Sequence, residues 1–257
     1  MTTLEQLRAP QLAARLAAVA EIAARAQPGA AELQALAACL GGAPKALQRR
    51  AAEAFAALHQ RGIAVLEILH ASLHAAAQQQ RWGAAYALSR IGTAPAAALP
   101  VLLECLGLDD GDLRWAAADI LVHMEQVPER VAALQQLVAT GNTAQRKMAA
   151  YCLRDLAARS PATEQALTAA LHDAEPSVRL AALSSLTRLC TERAPLAEQV
   201  AAMLADPDAG VRRAAAVALG TLGEPSEAVL AALRQAAASP DPSLQRAAAK
   251  SLAVLRA

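Results

Sequence analysis

The chain has 257 residues, of which 55% are hydrophobic and only 2% aromatic, and its formal net charge is +1. Because 24 basic residues are balanced by 23 acidic ones, no global field would hold the protein on DNA, RNA or an anionic membrane. The hydrophobic surplus is alanine, a strong helix former, and runs of β-branched or aromatic residues typical of strands are missing.

Helical segments recur along the chain in pairs, and we name the first helix of each pair A and the second B. Turn-forming residues separate A from B throughout the chain. They are Pro10, Gly41–Pro44, Asp109–Asp112, Gly141–Asn142, Asp206–Pro207 and Pro240–Pro242. In the first pair Arg25 stands where later pairs have an apolar residue, so we expect residues 1–27 to form an N-terminal capping unit. We expect residues 240–257 to form a C-terminal capping helix.

An alanine recurs along the B segments with a spacing of 33 residues, reduced to 32 at one step. Its positions are Ala18, Ala51, Ala84, Ala117, Ala149, Ala182, Ala215 and Ala248. An apolar residue follows four positions after each of them, which places both on one face of a helix. This period predicts an all-α repeat protein of about eight helical pairs, forming a single domain over residues 1–257.

Three segments late in the chain resemble HEAT repeats of the short bacterial type that phycobilin lyases also contain. They are His172–Leu186, Ala205–Gly223 and Ser239–Leu255. The aspartate of the A-to-B turn and the arginine six residues later match Asp173 with Arg179 and Asp206 with Arg212. The resemblance implies a right-handed α–α superhelix, an α-solenoid with A helices outside and B helices lining a concave groove. It also implies a role in holding partners.

The cysteines and the N-terminus indicate the compartment. Cys39, Cys105, Cys152 and Cys190 form no CxxC pair, which is typical of buried thiols in a reducing environment. Charged residues interrupt every apolar run before residue 27, so neither a signal peptide nor a membrane span is expected. We therefore expect a cytoplasmic protein.

Helical geometry indicates where a binding surface would lie. At about 100° per residue, two rows of each B helix point away from the core, into the predicted groove. Four of the five aromatic residues fall in these rows within the third to fifth pairs, and charged residues frame them. The predicted binding residues are Arg49, Glu53, Trp82, Tyr86, Arg90, Trp115, Asp119, Lys147, Tyr151 and Arg154.

Trp, Tyr and Arg dominate binding energy at protein interfaces, and mixed charge suits a peptide better than a polyanion. The leading hypothesis is a non-catalytic interaction module, a scaffold, adaptor or maturation factor that binds a partner protein or peptide as a monomer. No cofactor, membrane or nucleic acid is expected. A structural alternative is that the tryptophans only fill gaps between neighbouring helices.

Two further hypotheses come from the resemblance. Trp115 and Asp119 lie one helical turn apart, similar to the aromatic and carboxylate arrangement of HEAT-like alkylpurine DNA glycosylases. A phycobilin-lyase-like tetrapyrrole binder follows from the repeat subtype alone. His70 and His74 have the i, i+4 spacing of metal ligands but lack an evident third ligand, so we assign neither a metal site nor catalytic residues.

Overall fold

A computed structural model describes residues 2–42, 44–92, 96–124 and 128–256. Within those ranges all regular structure is helical and there is no strand, which confirms the predicted all-α fold. The helices in those ranges are α1 Thr3–Leu7, α2 Leu12–Ala24, α3 Ala30–Cys39, α4 Lys45–Gln60, α5 Leu66–Ser72, α6 Gln78–Ile91, α7 Leu99–Cys105, α8 Gly111–His123, α9 Glu129–Thr140, α10 Thr143–Asp155, α11 Pro161–Ala170, α12 Pro176–Leu189, α13 Arg193–Ala202, α14 Ala209–Leu222, α15 Glu227–Ala237 and α16 Pro242–Arg256. Short 3₁₀ turns occur at Ala96–Ala98 and Met203–Ala205.

Odd-numbered helices are the predicted A helices, and even-numbered helices are the predicted B helices. The recurring alanine of each B helix has 0% of its surface exposed in all eight pairs. The apolar residue four positions later is also buried in every pair. A small side chain at this point lets neighbouring helices approach closely, because added methylene groups would overpack the core. The predicted repeat register is confirmed.

Helix α14 shows how the local sequence fixes a helix. The side chain of Asp208 accepts a hydrogen bond from the backbone N–H of Val211 at 3.0 Å, which caps the N-terminus. Gly223 ends the helix with φ of 74°, a left-handed conformation in which glycine carries no steric penalty. The helix therefore begins just after Asp206–Pro207, which lies between an A and a B helix as predicted.

The described structure divides into two compact units, unit 1 at residues 1–130 and unit 2 at residues 131–257. In unit 1, α4 packs between α2 and α6, and α6 contacts α8. In unit 2, α12 packs between α10 and α14, and α14 packs on α16. Each unit therefore has its own row of adjacent B helices. One domain over residues 1–257, with caps at 1–27 and 240–257, stays a prediction.

Charged side chains connect successive repeats of unit 2. Arg146 bonds to Asp173 and Arg179 bonds to Asp206, each pair with a shortest N–O distance of 2.7 Å. Arg212 lies 3.7 Å from a carboxylate oxygen of Asp241. We call these three pairs the Arg–Asp ladder. The ladder holds the pKa of Asp173 below its usual range, because Arg146 donates hydrogen bonds to the ionised carboxylate.

The N-terminal region and the cysteine thiols have the features that the sequence indicates. At the N-terminal cap, Arg25 replaces an apolar side chain and its guanidinium lies 2.7 Å from a carboxylate oxygen of Glu21. Cys39, Cys105 and Cys152 are buried, and desolvation raises the pKa of the Cys105 thiol to about 12. The described helices include none with the length and apolar character needed to span a bilayer.

Candidate functional site

The described structure brings three predicted site residues together in a first pocket of unit 1, with a volume of about 230 Å³. Arg49 on α4, together with Trp82 and Tyr86 on α6, lines this pocket. The two aromatic rings are stacked, with centroids 5.8 Å apart and an interplanar angle of 29°. They give the pocket an aromatic wall, and Arg49 adds a cation to its lining.

The other residues lining the first pocket come from α6 and from the N-terminal halves of α4 and α8. They are Lys45, Gln48, Gly83, Asp112, Leu113 and Ala116. The amine of Lys45 lies 2.8 Å from Asp110 and 3.2 Å from Asp112, so an ion pair joins the two helices beside Trp82. Hydrogen bonding to Asp110 raises the pKa of Lys45, and the same contact lowers the pKa of Asp110.

Trp82 is only 5% exposed, so the expectation that it forms part of an exposed patch is wrong. The reason lies one residue later, at Gly83. A Cβ atom at that position would overlap the carbonyl oxygen of Leu40, the residue that follows α3. Because glycine has no Cβ, α6 packs directly against the backbone at Leu40, closer than any side chain at position 83 would allow. This close approach of α6 to the preceding repeat accounts for the low exposure of the adjacent Trp82 side chain.

A second pocket of about 370 Å³ lies beside the first in unit 1. Tyr86 and Arg90 of α6 line it together with Asp119 of α8. Tyr86 and Ala116 line both pockets, so the two cavities share a wall. Asp119 is exposed, and its carboxylate lies 3.2 Å from Nδ1 of His123, which also lines this pocket.

Trp115 and Glu53 line neither pocket, although both lie on the same row of helices. Trp115 is 55% exposed and sits directly before Ala116, the residue at the shared wall. Glu53 is exposed and pairs with Arg50 at 3.2 Å, an interaction within its own helix. Trp115 and Asp119 line no common cavity among the described pockets, so the geometry adds nothing to the glycosylase hypothesis.

Lys147, Tyr151 and Arg154 belong to unit 2 and lie on α10. The guanidinium carbon of Arg154 is 4.7 Å from the centroid of the Tyr151 ring, which is a cation–π contact. Arg154 also bonds to Asp155 at 2.8 Å, and this contact raises the pKa of the arginine further. Tyr151 and Arg154 thus contact each other within unit 2, and Lys147 lies one helical turn before Tyr151 on the same helix.

Sequence reasoning missed Lys45, Gln48, Asp112 and Leu113 because they lie in the first turns of their helices, next to residues taken only as turn formers. One signal could have revealed the pocket. Gly83 occupies a position where the other B helices of unit 1 carry a side chain, which indicates an unusually close helix contact. His70 and His74 are exposed, and the described residues contain no cluster suited to a metal ion.

Paired helices in repeating register, with their second helices side by side, define the class of this molecule. It is an all-α repeat protein of the α-solenoid class. The family model for HEAT repeats matches residues 33–122 and 196–256, and a further HEAT-repeat model matches residues 165–192. These matches cover more than half of the chain, and the chain belongs to the HEAT-repeat family. HEAT repeats serve as scaffolds for protein interactions.

Solved structures support the same fold. The Escherichia coli protein YibA is similar with a TM-score of 0.57 and 16% identity, over 99% of this chain and 91% of that chain. An engineered protein is similar with a TM-score of 0.50 and 21% identity, over 98% of this chain and 77% of that chain. At these identities the similarity shows the fold alone. Among curated proteins, none matches this chain in sequence.

Proposed function

We propose that this protein is a non-catalytic interaction module that binds a partner protein or peptide at the two adjoining pockets of unit 1. The observation that carries the proposal is their shared wall, formed by Tyr86 and Ala116 beside the exposed Trp115. Two cavities joined in this way suit a chain that places successive side chains in each. A module of this kind acts as a scaffold, adaptor or maturation factor.

The dimensions and the chemistry of the first pocket favour a side chain over a drug-sized ligand. The first pocket, at about 230 Å³, is smaller than the usual range for small-molecule sites. Its aromatic wall suits an apolar or aromatic side chain of the partner, because stacked rings prefer such contacts. An aromatic anchor of this kind is the type of contact that dominates interface energy.

The charges around the pockets favour a partner of mixed charge. Within the described ranges the guanidinium of Arg49 makes no hydrogen bond or ion pair, so it is available to a carboxylate at the first pocket. The second pocket offers one charge of each sign, Arg90 and Asp119. Such an arrangement fixes the register of a peptide more than it adds raw affinity. Lys147, Tyr151 and Arg154 remain predicted binding residues of unit 2.

The cellular setting is part of the same proposal. Three buried cysteines that form no disulfide are typical of a reducing compartment, which supports a cytoplasmic location. We infer that the protein acts as a monomer, with the unit 1 pockets open to the partner.

The test is quantitative affinity capture from the source cell with full-length protein. Trp115→Ala and the double variant Arg49→Ala/Asp119→Ala change exposed side chains and should leave the fold intact. Arg8→Ala is the control, because Arg8 is also exposed in unit 1 but lies outside the pockets. Proteins enriched by the wild type should be retained by Arg8→Ala and reduced about tenfold or more by the site variants, the loss expected for hot-spot residues. Equal capture by all four proteins would refute the proposal.

A further inference from the structure

A groove of about 620 Å³ runs between α12 and α14 on the B-helix side of unit 2. Its two walls face each other at positions 33 residues apart, such as Leu180 with Arg213 and Arg188 with Thr221. The two helices therefore run in the same direction along the groove. This groove is separate from the pockets of the proposed function and belongs entirely to unit 2.

The floor of the groove is apolar. Leu180, Leu183, Ala214, Val217 and Ala218 line it, and Val217 has 54% of its surface exposed. A large aliphatic side chain exposed to this degree is uncommon among the described residues of this chain. The small alanines beside it leave room for side chains from a partner.

A cation lies at each end of the groove, on opposite walls. Arg213 stands near the start of α14 and Arg188 stands near the end of α12. Both side chains are exposed, and within the described ranges neither guanidinium has a hydrogen bond or an ion pair. The two positions differ by eight residues along parallel helices, which corresponds to about 12 Å at 1.5 Å per residue.

Both charged residues that line the groove are cations, Arg188 and Arg213. On the neighbouring helix α16, Arg246 and Lys250 occupy the rows that Arg213 and Val217 occupy on α14. Asp173, Asp206 and Asp241 lie in the A-to-B turns, within the Arg–Asp ladder. An acidic partner would therefore meet complementary charge at both ends of the groove.

We propose that this groove binds an acidic amphipathic helix of a partner protein. Its apolar residues, spaced i, i+3 or i+4, and i+7, would contact Val217 and the leucines of α12. Two carboxylates about eight residues apart would pair with Arg213 and Arg188. Nucleic acid fits less well, because no aromatic side chain lines the groove and its floor is apolar rather than charged.

The probe is a synthetic, fluorescently labelled helical peptide of about four turns with leucines on one face and two glutamates eight positions apart. Three competitors accompany it: a peptide of the same composition in scrambled order, a peptide with lysines in place of the two glutamates, and a DNA oligonucleotide. Full-length protein should bind the probe, with an affinity that falls as salt is raised. The competitors should displace the probe at least about tenfold less well than the unlabelled probe itself.

Two variants test the assignment of the groove. Arg188→Glu/Arg213→Glu should weaken probe binding about tenfold or more, which is a change of about 1.4 kcal/mol. Arg234→Glu/Arg256→Glu changes the net charge equally at exposed positions outside the groove and should leave binding unchanged. Circular dichroism melts of both variants establish that they are folded.

Several outcomes would overturn the proposal. Absence of probe binding, equal binding of the scrambled peptide, or full affinity in Arg188→Glu/Arg213→Glu would each do so. Displacement by DNA at equal strength would do so too, and would assign the basic face to nucleic acid instead. Trp115→Ala, in unit 1, should bind the probe normally, so the two proposals fail independently.

Discussion

The two units use one arginine position of the repeat in different ways. In unit 2, Arg146, Arg179 and Arg212 each reach an aspartate in the turn of the next repeat. In unit 1 the same position is Arg15, Gln48, Arg81 or Arg114, and Arg81 reaches Glu104 on helix α7 instead. Arg114 donates to the carbonyl of Leu108, in its own turn. The ladder of unit 2 is thus absent from the described part of unit 1.

The two units also differ in buried hydroxyl groups that join successive B helices. Ser185 donates to the carbonyl of Ala150 at 2.9 Å and Ser251 donates to the carbonyl of Ala216 at 2.7 Å, in both cases on the preceding B helix. Unit 1 has alanine or isoleucine at this position of α4, α6 and α8. It joins α4 to α8 through the ion pairs of Lys45 and buries a tryptophan beside them. Unit 2 thus joins its repeats through contacts that recur at equivalent positions, whereas unit 1 joins them through contacts that differ from one repeat to the next.

The largest expected effect separates the two tryptophans of unit 1. Trp82→Ala should lower the free energy of unfolding by about 4 kcal/mol, because it deletes a buried aromatic side chain and leaves a cavity. Trp115→Ala should change it by no more than about 0.5 kcal/mol, because that side chain is 55% exposed. Urea unfolding followed by circular dichroism measures both. Equal losses would show that the two tryptophans share one role.

The next largest effect is the loss of stability when the arginine at the equivalent repeat position is replaced in each unit. Arg179→Met should cost about 3 kcal/mol, because Arg179 and Asp206 are each only 9% exposed and the aspartate would lose its partner. Arg81→Met should cost about 1 kcal/mol, since its partner Glu104 is 42% exposed and can be solvated. Urea unfolding gives both values, and hydrogen exchange shows which unit is affected. A larger loss in Arg81→Met would contradict the difference between the units.

The smallest effect is the response to acid. Burial opposes ionisation of Asp206, but the hydrogen bonds from Arg179 and from the backbone N–H of Asp208, together with the charges of Arg179 and Arg212, outweigh it. The pKa of Asp206 is therefore lowered, as is that of Asp173. A lowered folded-state pKa gives stability that is complete above the unfolded value of about 4 and is lost as the pH falls through the folded value. Unit 2 should therefore lose stability as the pH falls below about 4.

Both tryptophans lie in unit 1, so their fluorescence reports that unit, while circular dichroism reports helices of both. Thermal melts between about pH 6 and pH 3 should show the circular dichroism signal weakening before the fluorescence changes. Arg179→Met should reduce this acid sensitivity, because Asp206 would lose the hydrogen bonds from Arg179 that lower its pKa. The opposite order of the two signals would place the acid-sensitive contacts in unit 1.

Much of the candidate site could be predicted from the sequence, since helical phase alone placed Arg49, Tyr86, Arg90 and Asp119 on one face. The structure brings these four residues into two adjoining pockets. Helical phase could not predict the burial of Trp82. It gives the direction in which a side chain points, but not how closely its helix packs against neighbouring helices. It also could not divide the ten predicted residues between two units.

The sequence by itself determined the repeat, the helix ends and the core, because each depends on spacing within about 33 residues. The recurring alanines, the cap at Asp208 and the left-handed conformation of Gly223 each depend on residues close in sequence. The burial or helix end that each one produces can therefore be inferred from neighbouring positions. Only the tertiary structure decided that Arg179 reaches the next repeat and that Trp82 is buried. Both outcomes depend on how closely adjacent helices approach, and that distance is set by contacts between repeats, such as Gly83 on Leu40.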